Sequence, residues 1–216
     1  MNNRLMGTLL TFVAVVAGLS FATPSHASAK IVTDADATEA VKSSVSLGTA
    51  EADGGAATGK ASLTPAAKRW STTTITYKIA SGSSYYKSVW QNAVKTWNRS
   101  GVVNLVPASG KADITLSTSN SPVKNDATVG ITYSSYYNNK NMNGLSVLAS
   151  AKSYVYKNVA NRYHYSKGER TNVAEHELGH ALGLEHNVGK HSVMYYATRD
   201  QSVSKPDVNG LVHSYR

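Results

Sequence analysis

The spacing of apolar residues changes along the first part of the folded region. In residues 73–79, Ile75, Tyr77 and Ile79 alternate with polar residues in a stretch rich in β-branched side chains, which predicts a strand. In residues 84–99 the apolar side chains recur at helical spacing. This pattern predicts an amphipathic helix whose aromatic stripe faces the core, formed by Tyr86, Val89, Trp90, Ala93, Val94 and Trp97.

Four further apolar runs predict strands. The runs at 102–106 and 112–118 follow the helix directly, and the order strand, helix, strand, strand favours a largely parallel sheet with a crossover helix. Residues 128–134 and 146–156 predict two more strands. The asparagine-rich stretch 138–144 between them predicts a polar loop.

A second helix is predicted over residues 173–182, with Thr171 and Asn172 as its cap. Its spacing predicts two faces. One face carries His176 and His180, and the other faces the core with Ala174, Leu178, Ala181 and Leu182.

The N-terminal residues 1–29 have the pattern of an export signal. Arg4 provides a positive start, residues 9–22 form an apolar run, and small residues at 25–29 provide a cleavage site. Because the apolar run is short for a membrane span, we expect removal of the signal and secretion, with a retained anchor as the alternative.

Residues 30–69 contain mainly small and polar side chains and too few large apolar ones to fold alone. One interpretation is a flexible spacer. The other is a propeptide that shields a metal site, with Asp34, Asp36 or Asp53 as the shielding carboxylate. The predicted organisation is therefore a signal at 1–29, a propeptide or linker at 30–69 and one folded domain at 70–216.

The composition limits the kinds of site that this domain can contain. A chain of 216 residues accommodates one domain with a sizeable core in addition to its N-terminal extensions. It has no cysteine, which excludes disulfides, thiolate metal ligands and a cysteine-based latency switch.

The net charge is +9, and residues 70–216 carry sixteen Lys and Arg against eight Asp and Glu, a balance of +8. These cations are scattered singly, so the pattern argues against nucleic acid as a partner. Attraction to polyanionic cell-surface polymers or to acidic substrates is the functional expectation, and solubility is the alternative.

The strongest candidate for chemistry is the run 176–186. On a helix His176 and His180 lie about 6 Å apart along the axis and can bind one tetrahedral ion. Glu177 can take a proton from water beside that ion. Gly183 permits a left-handed turn that returns His186 to the site. Three protein ligands leave one position open, as in catalytic zinc sites.

This run matches H-E-x-x-H-x-x-G-x-x-H, the signature of the metzincin clan of zinc peptidases. The clan also requires a methionine turn, for which Met194 is the candidate. Over residues 70–216 the chain resembles the matrixin branch. Weaker matches support that resemblance: Ile75-Thr76-Tyr77, then Val89, Ala93 and Trp97, then Ala112-Asp113-Ile114.

The resemblance implies an α/β fold, a metzincin-like zincin domain. Its twisted sheet would have five mostly parallel strands with one antiparallel edge strand, packed with two long helices and a C-terminal helix near 206–212. It also implies that Asp207 braces the methionine turn, whereas Pro206 occupies a position that is acidic in matrixins. The edge strand would bind extended substrate through Val129, Gly130, Ile131 and Thr132.

The implied activity is that of a secreted, monomeric zinc endopeptidase acting on protein or peptide, with one catalytic zinc. His164, His191 and His213 are too far apart in sequence to suggest a second zinc, and Asn125 with Asp126 offers few ligands for calcium. One alternative is a zinc-dependent binding protein without turnover, against which Glu177 argues. Another is a zinc peptidase acting on cell-wall peptide crosslinks.

Tyr196 follows Met194 by two residues, as in the astacin and serralysin branches of the clan, where a tyrosine reaches the zinc. The resemblance to those branches implies a zinc ligand that becomes an oxyanion donor. The alternative is a tyrosine in the wall of the substrate pocket.

Overall fold

The computed structural model describes residues 30–32, 41–49, 60–125, 127–197 and 199–216. The predicted signal at 1–29 lies outside the described residues, as do Asp34, Asp36, Asp53 and Asp126. Among the helices that are described, none is both long and apolar enough to cross a membrane.

The central feature is a mixed sheet. Among the described residues it has eight strands, which are β1 (Lys30–Val32), β2 (Val41–Thr49), β3 (Lys68–Arg69), β4 (Thr74–Ala80), β5 (Asn104–Pro107), β6 (Ile114–Ser119), β7 (Thr128–Met142) and β8 (Leu145–Tyr156). The spatial order is β1-β2-β7-β8-β6-β4-β5, and β3 pairs with β8 outside this path.

In the part of the chain that the structure describes, four helices accompany the sheet: α1 (Ser84–Asn98), α2 (Lys157–Arg162), α3 (Lys167–Ala181) and α4 (Lys205–Tyr215). The predicted α/β class is confirmed. The five predicted strands are β4 to β8, and β4, β5, β6 and β8 pair in parallel, whereas β7 is antiparallel to β8. Three strands that were not predicted, β1, β2 and β3, extend this sheet.

The prediction of a polar loop at 138–144 is wrong. Strand β7 continues to Met142, and Asn143 and Gly144 alone form the turn into β8, with φ angles of 54° and 78°. Two consecutive positive φ angles at Asn-Gly are the signature of a tight two-residue hairpin turn, which matches the twist of the flanking strands.

The predicted start of the second long helix is also wrong. Helix α3 begins at Lys167, earlier than Val173, and its cap is Ser166 rather than Thr171 or Asn172. The Ser166 hydroxyl accepts a hydrogen bond from the Glu169 amide, and the Glu169 carboxylate accepts one from the Ser166 amide. This reciprocal capping box satisfies two backbone donors at the helix start.

The core lies between the sheet and helices α1 and α3. Its largest fully buried side chains include Trp90 and Trp97 of α1, Leu116 of β6 and Leu178 of α3. The Trp97 indole also donates a hydrogen bond of 2.9 Å to the carbonyl of Glu175. The aromatic stripe predicted for α1 therefore fixes the helix that carries the histidines.

Residues 60–69 pack against the C-terminal end of α3 and the loops that follow it. The Ala67 and Lys68 amides donate to the Gly183 carbonyl, and the Glu185 amide donates to the Pro65 carbonyl. The Lys68 ammonium also pairs with the Glu185 carboxylate at 3.0 Å. The boundary expected at residue 70 remains a prediction, and these contacts join residues 60–69 to the fold.

Candidate active site

The C-terminal end of α3 is held by side chains from distant parts of the chain. The Trp70 indole donates a hydrogen bond of 2.9 Å to the Ala181 carbonyl, and the Tyr215 hydroxyl donates one of 2.8 Å to the Leu182 carbonyl. The last carbonyls of a helix lack partners within the helix. These two donors satisfy the carbonyls of Ala181 and Leu182 and fix the place where the chain turns.

The turn itself depends on Gly183, whose φ is 99°. A Cβ at this position would collide with the Lys68 carbonyl, so both the left-handed conformation and the close approach favour glycine. The chain reverses here and brings His186 to His176 and His180, with ring centroids 5.3 Å and 4.9 Å away.

The three predicted ligands form one cluster. One potential ligand atom from each of His176, His180 and His186 lies within 4.8 Å of the others. The Nε2 atoms of His176 and His180 are 3.1 Å apart. Among the described residues, this is the group of His, Cys, Asp and Glu side chains placed to hold a metal ion.

Backbone carbonyls orient two of these rings. His176 Nδ1 lies 2.7 Å from the Val193 carbonyl, and His180 Nδ1 lies 2.8 Å from the Leu184 carbonyl. When Nδ1 donates its proton to such a carbonyl, the lone pair of Nε2 is available to a metal. Burial lowers the pKa of His176 from 6.5 to about 3, assisted by His186. Burial also lowers the pKa of His180 well below 6.5. Neutral imidazoles in a tight three-nitrogen cluster fit zinc.

Two further predicted residues lie next to the cluster. Glu177 is fully buried, and its Oε2 atom lies 2.7 Å from the Thr132 hydroxyl. Met194 is also fully buried and lies against α3 at Gly179, where any Cβ would collide with the methionine sulfur. The absence of a side chain at Gly179 therefore allows the methionine turn to approach the ligand helix.

The family model described as Matrixin matches residues 69–216. The chain belongs to the matrixin family. The match spans the sheet from β4 onward, α1, α3 and the three histidines, and the resemblance inferred from the sequence is confirmed. No curated protein matches the chain.

The methionine turn of this matrixin is braced by Asp207, as the resemblance implied. The buried carboxylate of Asp207 accepts hydrogen bonds from the Ser192 hydroxyl and from the Val193 amide, the latter at 3.1 Å. Because the Val193 carbonyl is the partner of His176, Asp207 orients that histidine through a single residue.

Thr64 is a buried part of this arrangement that the sequence analysis missed. Its hydroxyl donates a hydrogen bond of 2.8 Å to Asp207 and accepts one of 2.8 Å from the Asn187 amide group. Its backbone amide donates to the Pro206 carbonyl at 3.0 Å. A threonine in a small, polar segment gives no sequence signal for this position, because its partners lie more than a hundred residues away.

Two acidic residues that flank Glu177, Glu175 before the run and Glu185 within it, have separate contacts. Glu175 is buried, and its carboxylate accepts hydrogen bonds from the Ser202 hydroxyl at 2.6 Å and the Val203 amide at 3.1 Å. Burial raises the pKa of Glu175, and these hydrogen bonds oppose that shift. Glu185 pairs with Lys68 instead, and its side chain is 36 % exposed.

Tyr196 packs against Tyr195, with ring centroids 4.5 Å apart. A hydrogen bond with Tyr195 raises the pKa of the Tyr196 phenol. Its role as a zinc ligand or oxyanion donor in this matrixin stays a prediction. His164, His191 and His213 are exposed.

Proposed function

We propose that this matrixin is a secreted zinc endopeptidase in which Glu177 is the general base. The family supports a zinc metallopeptidase. The observation that carries the finer assignment is the buried carboxylate of Glu177, which directly follows the ligand His176 on α3 and is hydrogen-bonded by Thr132. Secretion is proposed from the signal at 1–29.

His176, His180 and His186 would hold the zinc. When bound, the ion supplies Lewis acidity to the scissile carbonyl and to water. Glu177 takes a proton from the attacking water and passes it to the leaving amine. Water oxygen adds to the carbonyl carbon and the C–N bond breaks, which leaves a carboxylate and an amine. The methionine turn and Asp207 keep the histidines in place during these steps.

We propose that extended substrate pairs with strand β7 at Val129, Gly130, Ile131 and Thr132. The support comes from β2, which pairs antiparallel with β7 on the side opposite β8. In this pairing Leu47 lies opposite Ile131, and Gly48 lies opposite Gly130. Backbone pairing of this kind accepts many sequences, and pockets for alternate side chains then provide selectivity.

The same pairing favours the propeptide interpretation of residues 30–69 over a flexible spacer. A segment that pairs with β7 occupies the strand edge that a substrate would need. We propose that β2 keeps the precursor latent in this way.

The function is tested with the Glu177→Ala variant, because the residue acts on water and is not a ligand. We expect one zinc per chain in both wild type and variant by elemental analysis. Cleavage of a peptide library by the wild type should stop when a zinc chelator is added. The variant should lose roughly 100- to 10,000-fold in turnover, the range typical of a general base.

Glu185→Ala is the matched control, because it removes a carboxylate from the same run and its contact is with Lys68. It should cleave at a rate close to wild type. Substantial cleavage by the Glu177→Ala variant would disprove the assigned role, and wild-type protein without chelator-sensitive cleavage would disprove the activity.

A further inference from the structure

The row of β7 residues that faces α3 is unusual for a strand that packs on a helix. Gly130, Thr132 and Ser134 form this row, since alternate residues of a strand share a face. All three are buried, and none carries a large apolar side chain. A Cβ at Gly130 would overlap the Glu177 side chain, which therefore fills the space above this glycine.

Two buried hydroxyls lie within hydrogen-bonding distance of Glu177. Thr132 Oγ1 lies 2.7 Å from Glu177 Oε2 and 2.9 Å from the Glu177 carbonyl oxygen. Ser153 Oγ of β8 lies 2.9 Å from Thr132 Oγ1 and 3.2 Å from the same carbonyl oxygen. Thr132 and Ser153 both have no solvent exposure.

The protons of these hydroxyls can be assigned from their acceptors. Each hydroxyl has one proton, and an ionised carboxylate is a stronger acceptor than a backbone carbonyl. Thr132 therefore donates to Glu177 Oε2, and Ser153 donates to the Glu177 carbonyl. The first bond fixes the rotation of the carboxylate, and the second ties the same helical residue to β8.

We propose that Thr132 is a positioning residue that holds the Glu177 carboxylate in the orientation needed for proton transfer. Its hydroxyl restricts the side chain from the sheet side, while Gly130 provides the space that the side chain occupies. Strand β7, which forms the proposed substrate edge, therefore also orients the general base. This inference rests on the proposed function of Glu177.

The test compares Thr132→Val, which keeps the shape of the side chain and removes the hydroxyl, with Thr132→Ser, which keeps the hydroxyl. We expect Thr132→Val to lower kcat by roughly 10- to 100-fold, the value of one hydrogen bond to a charged group, with KM changed less than about threefold. Thr132→Ser should restore most of the rate. Ser134→Ala is the matched control, because it removes a buried hydroxyl from the same row of β7.

A binding measurement separates the orientation of Glu177 from turnover. A peptide hydroxamate and the matching peptide thiol both bind through the metal, but the hydroxamate also shares a proton with a carboxylate beside it. Thr132→Val should weaken hydroxamate binding by roughly tenfold and leave thiol binding and zinc content unchanged. If Thr132→Val does not fold, Thr132→Ala takes its place, because the smaller alanine side chain cannot overpack the site.

Three results would overturn the proposal. The first is a wild-type kcat in Thr132→Val. The second is a kcat in Thr132→Ser that is as low as that of Thr132→Val. The third is a loss of kcat in Ser134→Ala equal to that in Thr132→Val. If the wild type cleaves no peptide, the proposed function fails by itself. The comparison of hydroxamate with thiol then still decides whether Thr132 orients Glu177.

Discussion

At the scale of single residues, Asp207 links the C-terminal helix to the metal site. Its carboxylate accepts hydrogen bonds from Thr64, Ser192, Val193 and Ser204, and the side chain is fully buried. A buried carboxylate is stable in a protein only when several donors face it. The four partners come from three separate parts of the chain, because Ser192 and Val193 are neighbours, so this one residue fixes how those parts meet.

We therefore predict that Asp207→Asn is damaging although the shape is conserved. The amide group would face donors and leave them unsatisfied. We expect a loss of about 3 kcal/mol in the free energy of unfolding of the metal-free protein, measured with urea. Zinc affinity should fall by roughly 10- to 100-fold, because the Val193 carbonyl would no longer be held against His176.

Asp200→Asn is the control for this prediction, since it removes the same charge from an exposed position. It should unfold at nearly the wild-type urea concentration. If Asp207→Asn has wild-type stability and zinc affinity, the hydrogen bonds to Asp207 do not stabilise the methionine turn.

At the scale of elements, the sequence predicted the strands whose pattern is local and missed features that depend on turn chemistry. Strands β4 to β8 and helix α1 follow from apolar spacing alone. The β7 to β8 hairpin was missed because the polar stretch 138–144 suggested a loop, although Asn143-Gly144 is a strong hairpin signal. Strands β1 and β2 lie in a segment of mainly small and polar residues, where this composition outweighs the few alternating apolar residues of β2, which are Val41, Val45 and Leu47.

Helix α3 shows the same limit at its start. The capping box was present in the sequence as Ser166 and Glu169, but the apolar spacing of this helix is weak before Val173. In the structure Glu169 also pairs with Arg199, which connects the first turn of α3 to the loop after the methionine turn. The hydrogen bond from Arg199, with smaller contributions from Ser166, lowers the pKa of Glu169 from 4.5 to about 2.

This shift predicts a pH dependence of stability. A carboxylate whose pKa is lower in the folded state stabilises the protein above its unfolded pKa, and that stabilisation is lost as pH falls through the folded value. Glu169→Gln should therefore be less stable than wild type above about pH 5. The difference should shrink as pH falls from 4.5 toward about 2.

Thermal unfolding of both proteins with a chelator present measures this difference without a contribution from metal release. In an Arg199→Gln background the difference between Glu169→Gln and its parent should narrow above about pH 5, because the hydrogen bond from Arg199 is the largest cause of the shift. A difference that is constant between pH 2 and pH 6 would contradict the prediction.

At the scale of the whole molecule, the cluster of three histidines was predictable and the contacts that support it were not. The spacing of His176, His180, Glu177, Gly183 and His186 encodes the site locally, because a helix and one turn bring these residues together. The supports from Thr64, Thr132, Ser153 and Trp70 reach the site from other strands and segments. Such contacts depend on how distant strands and segments pack together, and the spacing of residues along the sequence does not predict them.

Two described parts of residues 30–69 contact the rest of the fold at different places. Residues 60–69 contact Gly183, Glu185 and Asp207 on the supporting side of the site. Strand β2 instead lies along β7, where we propose that substrate binds. A cut that removes β2 but leaves Lys60 and the residues after it would clear the substrate edge and retain the supports of the methionine turn.

We predict that a chain beginning at Lys60 hydrolyses a short peptide faster than a chain that retains residues 30–59. A synthetic peptide with the sequence of Val41–Thr49 should inhibit the shorter chain competitively, raising KM without lowering kcat, because it would occupy the edge of β7. The control peptide carries proline at positions 44 and 46, which removes two donors from one side of the strand. Equal rates for the two chains, together with no inhibition by the Val41–Thr49 peptide, would show that β2 does not compete with substrate for β7.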